Sequence, residues 1–168
     1  MKGIKFHIGY VENQCCLEKR KIETGGVRME ELLAFAFLLY EELVTEDEYS
    51  KWLNELFLNN PENNDLLYLE WETDIKKAII YIRTHFDYKN LDLERFGKFL
   101  MGKLKEVYVN YSDIKCFASR MYRLWESLPG NIQDIEPFWI LSYADEPLSW
   151  GDEEQARDIY EHMFGHYY

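Results

Sequence analysis

The chain has 168 residues and a mass of 20.3 kDa, with 47% hydrophobic and 30% charged residues. That is enough to bury one core without metal or disulfide staples, and it excludes an intrinsically disordered chain. The formal net charge of -12 and a sequence pI of about 4.8 exclude nucleic acid as a general partner, and they favour a basic protein partner.

Residues 1–27 read as a short extended or β-like N-terminal arm. Ile4, Phe6, Ile8 and Tyr10 alternate with Lys5, His7 and Gly9, and Gly25-Gly26 breaks the chain. Residues 28–168 read as a single helical domain, so the fold class is mainly α: a bundle of about six helices behind that arm. Met29 to Val44 is apolar nearly all round, which predicts a central buried helix. Thr45-Glu46-Asp47-Glu48 is a capping box, with a hydroxyl at the cap and a carboxylate three residues on. Tyr49, Trp52, Leu53, Leu56 and Phe57 then share one helical face. The Asn59–Asn64 cluster around Pro61 ends it.

Leu66 to Trp71 fits a short helix or a strand equally well. Thr73 is the expected cap of the next helix, whose stripe is Ile75, Ile79, Ile82 and Phe86. Asp92 caps another with Leu93, Phe96, Leu100, Leu104 and Val107 inward, where Gly97 and Gly102 allow close approach. Ser112 is the expected cap of a fifth, carrying Ile114, Phe117, Ala118, Met121, Leu124, Trp125 and Leu128. Pro137 to Tyr143 reads as a buried strand or extended segment. Asp152 to Phe164 closes the chain as a helix with Ala156, Ile159, Tyr160 and Met163 inward.

Charge is segregated along the chain. Residues 41–74 carry 11 acidic residues against Lys51 alone, residues 76–123 carry 11 basic and 5 acidic ones, and residues 126–168 carry 10 acidic residues against Arg157 alone. On one reading the acidic helices neutralise the basic middle across their seams. On the other, the acidic segments form a docking face for a basic partner, with aromatics as anchors. The residues assigned to that face are Glu41, Glu42, Glu46, Asp47, Glu48, Trp52, Glu55, Glu70 and Trp71.

Catalytic and metal signatures are sparse. His162 and His166 are four apart, but the order is Glu-His-x-x-x-His with Gly165 inside it, so an exposed tail is expected and no metal or cofactor. Cys15-Cys16 lacks the C-x-x-C spacing. Cys116 lies one residue from a buried stripe and reads as a packing residue. His85 reads as a helix-end cation. No glycine-rich phosphate loop follows a strand, and neighbouring carboxylate pairs such as Glu153-Glu154 diverge along their helix. An active site would have to gather His85, Cys116 and a carboxylate from distant segments. The basic residues interleaved with tyrosine, Lys98 to Arg123, are expected to pair with the acidic segments and not with a nucleic acid. The longest apolar stretch, Leu32 to Tyr40, is too short to span a membrane, and Met1 to Tyr10 lacks the apolar core of a secretory signal. An odd cysteine count fits a reducing cytoplasm.

Four consecutive elements, EELLAFAFLLYEEL, TEDEYSKWLNELFL, NNPENNDLLYLEW and DIKKAIIYIRTHF, run from Glu30 to Phe86. Their texture and order resemble small acidic bacterial immunity proteins encoded beside polymorphic or contact-dependent toxins. The resemblance implies a cytoplasmic, non-catalytic antitoxin that binds a cognate toxin domain and covers its active site. Where the toxin is a nuclease, an acidic inhibitor would imitate the phosphates of its substrate. The expectation from a different class is a helical adaptor or regulatory protein that acts through homo- or hetero-oligomerisation.

Overall fold

The structure is a computed structural model, and it describes residues 29–167. The expected N-terminal arm, with His7, Cys15 and Cys16, lies outside the described residues. Among the described residues eight α-helices follow one another, and no strand occurs. They are α1 (Met29–Tyr40), α2 (Glu46–Asn59), α3 (Asn64–Trp71), α4 (Ile75–His85), α5 (Leu93–Val109), α6 (Ile114–Ser127), the single turn α7 (Gly130–Gln133) and α8 (Glu153–Phe164). The mainly α class holds. The count exceeds the expected six because the ambiguous segment becomes α3 and because α7 intervenes.

α1 is the axis of the bundle. Met29 and every residue from Leu32 to Leu39 are buried, and the helix packs between α4 and α5. Burial on all sides is what an all-round apolar helix requires, since each buried Leu or Phe contributes roughly 1.5 to 3 kcal/mol relative to exposure. Phe35 meets Tyr49 and Trp52 of α2 and Phe99 of α5, with ring centroids 4.8 to 6.1 Å away. The stripes predicted for α4, α5, α6 and α8 all turn inward. Their central residues, among them Ile82, Leu100, Met121 and Tyr160, are fully buried.

The capping box of α2 is formed as its sequence demands. Thr45 Oγ1 accepts from the Glu48 N–H at 3.2 Å, and the Thr45 N–H donates to Glu48 Oε2 at 3.0 Å. Two other caps differ from expectation. Asp74, not Thr73, caps α4, accepting from the N–H groups of Lys76 and Lys77 at 3.0 and 3.4 Å. Asp113, not Ser112, caps α6, accepting from Lys115 and Cys116 at 2.9 and 3.2 Å. In both pairs a carboxylate takes two orphan donors and adds a charge favourable to the helix N-terminus, which a hydroxyl does not.

α3 is a helix because the Asn63 side chain accepts from the N–H groups of Asp65 and Leu66, both at 3.0 Å, and because Leu66 and Leu69 bury one side of it. Pro137 to Tyr143 is neither strand nor extended. It forms a 3-10 turn over Phe138–Ser142 that packs on α6 with Phe138, Ile140 and Leu141 buried. A lone extended run in an all-helical core would bury unpaired peptide groups. The i→i+3 bonds from Ile140 to Pro137 and from Tyr143 to Ile140, both 3.2 Å, satisfy them locally. At the C-terminus the Tyr167 hydroxyl lies against α5 at Gly97, where a β-carbon would overlap its ring. The space at Gly97 is thus filled by a tyrosine side chain and not, as expected, by the close approach of a helix.

Candidate functional site

The charged corner where α1 passes into α2 divides the predicted acidic face in two. α1 ends in a Schellman turn. The Leu43 N–H bonds the Leu38 carbonyl at 2.8 Å, the Glu42 N–H bonds the Leu39 carbonyl at 3.0 Å, and Glu42 sits at φ 54. This left-handed position usually belongs to glycine. Beneath the turn, Arg120 of α6 donates from Nη1 to the carbonyls of Glu42 and Glu41 at 2.6 and 3.4 Å. Arg123 Nε approaches Glu41 Oε2 at 3.5 Å. Glu41 is buried. Burial pushes its carboxyl above the usual range, and Arg123, Arg83 and Arg120 pull it back in that order. Glu41 therefore belongs to the interior and not to a docking face.

Other assigned residues also leave that face. Trp52 is half-buried in the aromatic cluster with Phe35 and Phe99. Its neighbours on the apolar stripe hold it there despite the acidic stretch around it. Glu48 is occupied by the capping box, and the Thr45 N–H holds its carboxyl below the ordinary range. Glu42, Glu46, Asp47 and Glu55 are exposed and form no ion pair among the described residues. Ion pairs found there include Arg95–Glu31, Lys103–Glu106 and Arg123–Glu41. Internal neutralisation of residues 41–74 is thus real at Glu41 and partial at Glu48, where Lys103 and Lys51 act, while Glu46 and Asp47 form no ion pair among the described residues.

Beside those free carboxylates lies a groove of about 540 Å³. Its apolar floor is Leu39 and Tyr40 from α1 with Ile75, Ile79 and Ile80 from α4. Glu42 and Glu46 from the α1–α2 corner and Lys76, Arg83 and Thr84 from α4 complete its lining, two carboxylates with two cations. Tyr40 is 57% exposed and Ile80 61%. Arg83 is spoken for: Nη2 donates to the Ser127 carbonyl at 3.1 Å, and the guanidinium lies 4.7 and 5.0 Å from the ring centroids of Phe37 and Tyr40.

The other flank of α4 carries a ladder of rings. Tyr68 of α3 stacks on Tyr81 at 4.2 Å, and Tyr81 stacks on His85 at 4.1 Å. The Tyr81 hydroxyl donates to Asp65 at 2.6 Å and the Tyr68 hydroxyl to Glu72 at 3.3 Å. Trp71, one turn beyond Tyr68, is 78% exposed, and Glu70 beside it is half-buried. Tyr40, Tyr68 and Ile80 were not among the residues assigned from sequence. Ile80 carried a signal, since it falls off the Ile75, Ile79, Ile82, Phe86 stripe and therefore had to face outward.

The residues weighed for chemistry stay apart from this surface or from one another. Cys116 is exposed on the first turn of α6, which corrects its reading as a packing residue. The stripe runs through Ile114, Phe117 and Ala118 and passes it by. His85 sits in the last turn of α4 with Nδ1 2.9 Å from the Tyr81 carbonyl oxygen. His162 and His166 are exposed near the end of α8. Among the described residues no three His, Cys, Asp or Glu side chains converge as a metal site, and no helix is long and apolar enough to cross a membrane. The chain matches no family model, no curated protein and no solved structure.

Proposed function

We propose that this chain is a non-catalytic protein-binding module of the immunity type. It neutralises a cognate toxin by docking the surface centred on α4. The observation that carries this reading is exposed apolar and aromatic surface on both flanks of α4, Tyr40 and Ile80 at the groove and Tyr68 on the ring ladder, with exposed Trp71 one turn beyond Tyr68 on α3. Glu42 and Glu46 line the groove with Tyr40 and Ile80, and Glu72 accepts from the Tyr68 hydroxyl. Apolar and aromatic side chains supply the anchors of an interface, and unpaired carboxylates at its rim raise the association rate for a basic partner. The segment that resembles immunity proteins, Met29 to Phe86, contains every one of these residues.

The test is co-expression with the product of the neighbouring gene, together with pull-down at low salt. Protection of the host and retention of the toxin are expected. Reversing Glu42, Glu46 and Asp47 to lysine should slow association, and the difference should shrink as salt rises. Absence of both binding and protection overturns the reading. A stable self-assembled species by light scattering, with no toxin bound, would transfer it to the oligomerising adaptor.

A further inference from the structure

We infer that the Trp139–Tyr143 pair on the turn after Pro137 is a second interaction surface, and that it takes an arginine side chain of a basic protein partner flat on its rings, with Glu136 and Glu146 as counter-charges. None of these residues belongs to the α4 surface, so the inference goes beyond the reading above.

Packing builds the pair. Phe138, Ile140 and Leu141 of the turn are buried where it packs on α6, and Ala144 is buried after them. That leaves Trp139 41% exposed and Tyr143 half-buried, four residues apart. The Trp139 N–H donates to the Ile135 carbonyl at 3.1 Å, and the Tyr143 N–H to the Ile140 carbonyl at 3.2 Å. The Ser142 hydroxyl donates to the Trp139 carbonyl at 2.7 Å. The two ring centroids stand 4.6 Å apart, with the planes tilted by 33°. A platform fixed in this way loses little side-chain freedom when a ligand arrives.

Charge selects the ligand. Glu136 precedes Trp139 by three residues, and the Glu146 N–H bonds the Tyr143 carbonyl at 2.9 Å. Both glutamates are exposed, and neither forms an ion pair among the described residues. Burial raises the Tyr143 hydroxyl above its ordinary value, Glu136 and Glu146 raise it further, and no cation opposes them. Two α6 cations that reach this part of the chain, Lys115 and Arg123, line a different cavity with Asp145, Leu148 and Ser149, and Arg123 also meets Glu41. The charges at the pair are therefore of one sign. An aromatic face attracts a cation, and a guanidinium lies flat on a ring while its fork reaches a carboxylate, which an ammonium does not do. A phosphate-bearing partner is repelled. A second copy in a two-fold contact would set the same carboxylates against each other.

The experiment uses the isotope-labelled full chain and three short glycine-spaced peptides, carrying two arginines, two lysines or two citrullines. Citrulline keeps the shape of arginine without its charge. The arginine peptide should shift the Trp139 indole N–H and the Tyr143 amide. The citrulline peptide should bind at least about fivefold more weakly, with the lysine peptide between them. Because a net charge of -12 attracts any cation, local variants decide. Trp139→Ala, and separately Glu136→Gln with Glu146→Gln, should each weaken the arginine peptide about three- to fivefold at unchanged helix content. If Trp139→Ala unfolds the chain, the glutamine pair, at exposed positions, decides alone. The proposal is overturned by equal binding of the arginine and citrulline peptides, by lysine binding as tightly as arginine, by shifts centred on the first turn of α2, by no shift at all, or by indifference to either folded variant. A dimer of the free chain that Trp139→Ala splits would make the occupant a second copy and overturn the basic partner.

Discussion

Glu41 and Glu42 are neighbours in the chain, and the fold sends them to opposite sides of the α1–α2 corner. Glu41 turns under it, is buried and meets Arg123. Glu42 turns over it and stands exposed on the lip of the groove. The arginines of the basic middle segment reach the underside, where Arg120 also takes both backbone carbonyls. Among the described residues none of them forms an ion pair with Glu42, although Arg83 lines the same groove. A run of like charges in sequence is therefore no surface by itself. One backbone turn decides which carboxylate is consumed by the fold and which remains for a partner.

The largest expected effect separates these two positions. Glu41→Lys places a cation among Arg83, Arg120 and Arg123 and should cost about 3 kcal/mol of stability, as loss of a buried charge partner does. Glu42→Lys is exposed and should change stability by less than about 0.5 kcal/mol. Denaturant midpoints measured on the two variants check the contrast, and equal destabilisation would erase the division between interior and lip.

How far the sequence discloses this division depends on what sets each position. The burial of α1 is legible because no polar residue interrupts Leu32 to Leu39. The capping box of α2 is legible because its residues interact locally, three positions apart. The fates of Trp52 and Trp71 are separable in hindsight. Trp52 lies on a stripe with Tyr49, Leu53 and Leu56, while Trp71 ends a two-turn helix with only Leu66 and Leu69 buried. Counting acidic neighbours treated them alike. The fate of Glu41 was not legible. It depends on a left-handed residue at Glu42, which no glycine announces, and on arginines about 80 residues away along the chain. The groove is likewise a product of tertiary packing between α1 and α4, foreshadowed only by the off-stripe position of Ile80.

The buried side of the comparison also predicts an alkaline limit. Tyr49 and Tyr160 are buried, and among the described residues their hydroxyls have no hydrogen-bond partner, so burial pushes both above the ordinary value of 10.0. Burial, with Glu94 adding to it, pushes Tyr167 up to about 12. A folded-state value raised above the unfolded one gives stability that is complete below about pH 10 and is lost as pH rises through the folded value. Unfolding should therefore become easier between about pH 10 and 12, with tyrosinate absorbance appearing together with loss of helix. Tyr167→Phe should make that decline shallower. An unchanged profile would mean that Tyr167 ionises without leaving its seat at Gly97.

A smaller effect belongs to the hinge between the two sides. Thr45→Ala removes the hydroxyl that accepts the Glu48 N–H and should cost about 1 kcal/mol. Its acid dependence sharpens the assignment. The Glu48 carboxyl is held below its ordinary range, so the box contributes fully above the unfolded value near 4.5, and that contribution fades as pH falls. The Thr45→Ala variant should differ from the parent less in acid than at neutral pH. A constant difference would assign the cost to the Glu48 N–H bond to the hydroxyl, which does not titrate, and not to the bond from the hydroxyl to the Glu48 carboxylate.

The smallest change runs in the opposite direction. Glu42→Gly relieves the left-handed backbone at φ 54 and should stabilise the fold by about 0.5 to 1 kcal/mol. The Arg120 bond to the residue 42 carbonyl is kept, since it uses the backbone. The same change removes half of the acidic lip and should slow capture of a basic partner at low salt. A variant that folds better and binds worse would show that the strain serves the surface. A variant that gains stability and binds unchanged would show that the glutamate merely occupies a turn made by α1 and Arg120, leaving Glu46 to carry the charge of the lip.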